Sequence, residues 1–405
     1  MVEMFSATKL GYLCRIRKKM MRRKHSYCAI DEPRCNASPI ILANFAPRKQ
    51  TLLIIALTMQ ATPAAKQRIQ YIDLAKGFCI LLVVASHILA FYRTQLPYDS
   101  VLKCFRMPLY FFLSGVFFKQ YENFGGFVKR KINKLLIPFL FFYVTLGIIL
   151  PWALYQWCGI KLLSYNPRFD FWQNLVQVWT LEKFPNAAIW FLMCLLEVNL
   201  IFYVIFMVAR RVRWHVTYLI AAMSVACGAL GMTLSYCHIN LPCFIDSALT
   251  SMPFFALGYI LNRNTRVMYN GWRCDKWLWV VVLVCVPLLF WLAYPLDYRC
   301  NYFAGCYLTA HLCGVVGTIM TIFLAKMIQH IPLVTYWGRY SIMILCTHQV
   351  LYQLLDLLLK QFVPRGWWRI SVCLTLTMML YLLIIPFMRR FMPHVTAQND
   401  VIKIN

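Results

Sequence analysis

The chain has 405 residues, 61% of them hydrophobic and only 14% charged, with a mean hydropathy of +0.60. Soluble domains carry about 25% charged residues, so this balance excludes a multi-domain soluble protein and points to one helical membrane bundle. The formal charge is +27, from 41 Lys and Arg against 14 Asp and Glu, but the basic residues sit in short loops between apolar runs, which reads as topology signals and anionic-lipid contacts rather than nucleic-acid binding.

Residues 1–66 differ from the rest. They hold RIRKKMMRRKH, then DEPRCNASP, then the short run LLIIALTM, which cannot span a bilayer needing ~20 residues. This segment reads as a poorly ordered basic extension, or as sequence upstream of a start at Met59. From residue 67 to 392 about ten spans of near-membrane length follow. They lie at 72–92, 104–118, 134–157, 187–209, 216–235, 244–261, 277–295, 302–326, 339–360 and 369–388. None shows the alternation of a barrel strand, so the expected fold is all-α, a polytopic membrane bundle. Residues 393–405 read as a tail.

The loops set an orientation. Lys66 and Arg68 precede the first span. Lys129, Arg130 and Lys131 follow the second, Arg210, Arg211 and Arg213 the fourth, and Arg263, Arg266 and Arg273 the sixth. The loop after the fifth span has no Lys or Arg. By the positive-inside rule both termini are cytoplasmic. The loop after the ninth span, with Lys360, Arg365 and Arg369, runs against this pattern. Cys237 and Cys243 flank one loop and would suit a disulfide if it faced an oxidising compartment. The 17 Cys include no CxxC pair and the His residues lack zinc-like spacing, so no metal is expected.

An ionisable residue inside a membrane span marks a functional site by default. The first span carries Asp73, Lys76 and His87. His87 lies eleven residues beyond Lys76. At 100° per residue the two fall within about 20° of one helix stripe, separated by ~16 Å of axial rise. The imidazole reads as a general base for a hydroxyl nucleophile or as a hydrogen-bonded structural histidine. Lys76 reads as a phosphate ligand or as the partner of Asp73, three residues away. Arg130 and Lys134 share a helix face and suit a phosphate, while the whole cluster also serves as a topology anchor. Further polar groups at depth are Glu197, His311 and His348, with Asn186 and Asp246 near the outer face. Together they suggest a polar cavity in the bundle.

These residues fall in an ordered set of motifs. YIDLAKGFCILLVVASH (71–87) resembles the first helix of the acyltransferase-3 family of membrane O-acyltransferases, which sets a basic residue and a histidine ten intervening residues apart. MPLYFFLSGVFF (107–118), with Ser114 and Gly115, resembles the family's second-helix motif. KRKINKLLIPFLFF (129–142) is similar to its basic approach to the third helix, and AAIWFLMCLL (187–196), with Trp190, to its Trp-Phe-Leu segment. SMPFFALGYIL (251–261) and WGRYSIMILCTH (337–348) resemble its later helices. The match runs over about residues 68–390, and the lysine at position 76 resembles the fucose 4-O-acetylase-like branch.

The resemblance implies an enzyme that moves an acetyl group from cytoplasmic acetyl-CoA to a hydroxyl of a cell-surface glycan or its lipid-linked precursor, in a bacterial inner membrane. It implies His87 as catalytic base and Lys76, Arg130 and Lys134 as cofactor ligands. Asp73, Ser114, Trp190, Glu197, His311 and His348 become supporting or acceptor-site candidates, and an acid is expected to hold the imidazole tautomer. The rival reading is a transporter or flippase for a lipid-linked sugar, which needs buried charge but no Lys76–His87 stripe; no pair of interrupted half-helices favours it.

Overall fold

Inside a bilayer the backbone has no water to bond, so apolar runs of this length close their hydrogen bonds as helices. The computed structural model describes residues 69–403, except 95, 97, 120–122, 164, 169, 181–185, 213–214, 266–267 and 269–276. The extension over 1–66, Lys66, Arg68, Arg213, Arg266 and Arg273 lie outside the described residues.

Eight helices are long and apolar enough to cross a membrane. In chain order with their neighbours, the helices are α1 (Gln70–Phe91), α2 (Asp99–Val116), α3 (Phe124–Cys158), α4 (Phe171–Thr180), α5 (Ala187–Val212), α6 (Val216–Tyr236), α7 (Ile245–Asn264), α8 (Trp277–Leu292), α9 (Tyr307–Ile328), α10 (Pro332–Arg339), α11 (Ser341–Leu359) and α12 (Trp367–Phe391). The fold is the expected all-α membrane bundle. The second and seventh expected spans are the two that fall short: α2 carries Asp99, Lys103 and Arg106, and α8 has 16 residues. A two-residue hairpin, β1 (Leu296–Asp297) with antiparallel β2 (Tyr302–Phe303), lies between α8 and α9. Asn301 anchors it to the bundle, accepting from Thr250 Oγ1 at 2.8 Å and donating to the Gly231 carbonyl at 2.8 Å.

α1 lies in the middle of the bundle, packed against α2, α9, α10, α11 and α12. Between two membrane helices, close approach depends on small residues, because dispersion and backbone contacts replace the hydrophobic effect. A Cβ on Gly77 would sit 2.0 Å from the Val334 carbonyl oxygen, and one on Gly338 would sit 1.8 Å from that of Asp73. The α1–α10 crossing therefore depends on both glycines. Gly115 of α2 and Gly258 of α7 form a second such crossing, with clashes of 1.9 and 2.0 Å.

α3 departs from a regular helix. Ile132–Leu136 and Tyr143–Ile149 are π-helical, and a π turn takes in about one more residue than an α turn. The chain beyond α12 does not hang free. Asn133, fully buried, donates to the Ile402 carbonyl at 2.8 Å and accepts from the Val401 and Ile402 N–H groups at 3.1 and 2.9 Å. The expected tail is thus docked against the start of α3. Cys237 and Cys243 are both free thiols, so no disulfide joins them.

Candidate active site

Two cavities lie along α1. The first, of about 460 Å³, is lined by Lys76 and Ile80 of α1, Tyr110 and Ser114 of α2 and Phe117 just beyond it, Lys134 of α3, and Gly338–Ser341 at the α10–α11 junction. Residues 396–398 of the docked C-terminal segment complete its wall. The second, of about 560 Å³, is lined by Val83, Ser86, His87 and Ala90 of α1, Lys103 and Arg106 of α2, Trp190 of α5, Gln349 of α11, and Leu296–Arg299 of the hairpin loop. Met107 of α2 lines both. The stripe read from the sequence therefore joins two chambers, with the lysine in one, the histidine in the other, and a flexible thioether between them.

The lysine chamber is basic. The Lys76 ammonium lies 5.3 Å from the Phe117 ring centroid, and the Tyr110 hydroxyl donates to the Lys76 carbonyl at 3.1 Å. Lys134 donates to the Ala397 carbonyl at 2.9 Å and pairs with Asp400 at 3.0 Å, so one of its expected phosphate contacts is already met by the protein's own C-terminal segment. Arg130, expected on the same face as Lys134, is not part of the lining. Arg339, which the sequence reading did not single out, lines this chamber instead.

In the second chamber, His87 Nδ1 lies 3.2 Å from the Gln349 carboxamide nitrogen. The partner is an amide, not the expected acid. With the amide nitrogen donating to Nδ1, the proton sits on Nε2; with the carboxamide turned over, Nδ1–H donates and Nε2 carries the lone pair a base needs. An amide thus holds the ring in place without fixing its tautomer. His348 packs beside it, ring centroids 5.1 Å apart. Its Nδ1 faces the Ile344 and Leu345 carbonyls at 2.9 and 3.0 Å, which sets the N–H there, and its buried Nε2 has no partner among the described residues.

The other candidates separate by place. Ser114 lines the lysine chamber and Trp190 the histidine chamber. Asp73, Glu197 and His311 are buried outside both linings. His311 sits between α9 and α7, its ring nitrogens 2.9 and 3.0 Å from the Tyr307 and Thr250 carbonyls and its face stacked on Phe254. Asn186 donates to the Cys346 carbonyl at 2.9 Å. Among the described residues, no three His, Cys, Asp or Glu side chains gather as metal ligands would. Gln349, Met107, Arg106 and Arg299 were missed. Arg106 could have been found, since it is an ionisable residue inside an apolar helix; Gln349 and Met107 carried no sequence signal beyond their neighbours.

The family model described as an acyltransferase domain matches residues 69–391. No curated protein and no solved structure matches the chain.

Proposed function

We propose, from the premise that this chain belongs to the acyltransferase-3 family of membrane acyltransferases, that it transfers an acetyl group from acetyl-CoA to a hydroxyl of a glycan or its lipid-linked precursor. The observation that carries this reading is the pair of chambers meeting at Met107, one basic and one holding His87. Lys76, Lys134 and Arg339 suit the phosphates of a nucleotide thioester, as point charges and a bidentate fork. A pantetheine arm extends about as far as the ~16 Å rise from Lys76 to His87. The thioester carbonyl then reaches the partition while the acceptor waits on the other side.

His87 takes the proton from the acceptor hydroxyl as its oxygen attacks the thioester carbonyl. The carbon–sulfur bond breaks, the imidazolium returns that proton to the thiolate, and an O-acyl ester and a free thiol remain. Gln349 holds the ring during this exchange. The basic chamber faces the cytoplasm in this reading, where acetyl-CoA is found, and the protein sits in a bacterial inner membrane with both termini inside.

The test is transfer from labelled acetyl-CoA in proteoliposomes. His87→Ala is expected to lower turnover by roughly 10²–10⁴-fold, the usual share of a positioned general base, while the protein still inserts and still binds acetyl-CoA. Full turnover at equal protein level would overturn the mechanism.

A further inference from the structure

We propose that the histidine chamber is an anion subsite, and that the acceptor is a sugar carrying a carboxylate or phosphate close to its reacting hydroxyl. The inference rests on the transferase reading for what happens to the sugar, but not for its binding. Arg93, Lys103, Arg106 and Arg299 line the chamber against two carboxylates, Asp99 and Asp297. Asp99 is ion-paired with Lys103. Asp297 accepts the Arg299 backbone N–H at 2.9 Å.

Arg106 makes no ion pair among the described residues, although Asp99 and Asp297 line the same chamber. It is 7% exposed, and its Nη1 donates to the Leu82 carbonyl at 3.0 Å. A guanidinium has five N–H donors, and among the described residues no carboxylate pairs with this one. A buried cation without a partner is costly in a membrane bundle and is retained where a ligand completes it. Tyr298 lines the same chamber. The Arg106 side chain lines a space that also holds His87 and the Trp190 ring, an indole that suits the apolar face of a sugar. A planar oxyanion held by the fork of Arg106 would bring a neighbouring hydroxyl to the imidazole.

The experiment uses the full chain in detergent and four probes: glucuronic acid, glucose 6-phosphate, neutral glucuronamide and glucose. Saturation-transfer NMR titrations measure binding, and acetyl transfer to each probe is followed separately. The expected result is at least tenfold tighter binding of one or both anions than of the neutral sugars. Arg106→Gln should remove that preference and Arg106→Lys should keep part of it. Arg299→Gln, at the half-buried rim, should weaken anion binding severalfold, and it keeps the test open if Arg106→Gln fails to fold. Preference for one anion alone identifies the acceptor's charged group as carboxylate or phosphate. Equal binding of all four probes, no binding of any, or displacement of the sugars by 3′,5′-ADP, the nucleotide end of coenzyme A, would overturn the inference. Anion-selective binding without transfer would instead leave the subsite standing and defeat the transferase reading.

Discussion

Lys76 and His87 lie on one helix, yet they are placed to do opposite work. The lysine lines a basic chamber in which Lys134 is already paired with Asp400. Lys76→Ala is therefore expected to raise the acetyl-CoA KM by about tenfold or more, the usual effect of losing one charge-assisted contact. Lys76→Arg should raise it much less, because a cation remains. An unchanged KM in Lys76→Ala would reduce the residue to a local partner of α1 and α2. His87 is held by the Gln349 amide and backed by the His348 imidazole, whose buried Nε2 has no hydrogen-bond partner among the described residues. Met107 lines both chambers. An unbranched thioether can yield to a passing group in a way that a β-branched residue cannot.

At the scale of elements, the site depends on how closely α10 approaches α1. The junction from Gly338 to Ser341 lines the lysine chamber, and Gly77 and Gly338 let the backbones meet there. Gly77→Leu must push α10 away, since even a Cβ would lie 2.0 Å from a carbonyl oxygen. Overpacking of this kind costs about 1–3 kcal/mol and sometimes more. The expected outcome is a lower midpoint of thermal unfolding in detergent together with loss of activity. Gly125→Ala, where nothing lies within 4 Å of the added Cβ, is the control and should change neither. Wild-type stability in Gly77→Leu would show that the crossing is looser than the structure has it. α3 contributes through its first π turn, where Asn133 holds the C-terminal segment against the chamber.

Across the whole molecule, the hydrogen bonds from Asn133 to Val401 and Ile402 put the C-terminus on the same side as the basic start of α3. The hairpin and the turn after α6 lie together at the other end, where the Tyr236 hydroxyl donates to the Gly305 carbonyl at 2.9 Å. The loop that ran against the charge pattern is also partly explained. Arg369 pairs with Asp356 at 2.6 Å and Tyr92 donates to the same carboxylate, so one of its three cations is neutralised within the bundle. With acetyl-CoA inside the cell, a cysteine at position 125 of a Cys-depleted variant is expected to react only after permeabilisation. One at position 240 should react in intact cells. The reverse pattern would place the lysine chamber outside and deny it a cytoplasmic donor.

Much of this was legible in one dimension because it depends on short-range physics. Apolar runs of span length dictate helices whatever they pack against, which is why the bundle and the positions of its spans could be read directly. The 100° step of a helix likewise placed Lys76 and His87 on one stripe before any neighbour was known. What the sequence could not carry was every relation between distant segments. Gln349 lies 262 residues from His87, and an amide in an apolar helix announces nothing. Arg130 and Lys134 were assigned one phosphate site from their spacing, yet only Lys134 lines the chamber. Arg106 is a stray cation in sequence and becomes the unpaired charge of a chamber only when α1, α5 and the hairpin loop close around it. The sequence alone thus determined the all-α bundle and the stripe of α1. The division into two chambers, the partner of the histidine and the charge of the second chamber were decided by tertiary packing, because each depends on the mutual placement of helices rather than on the period of any one.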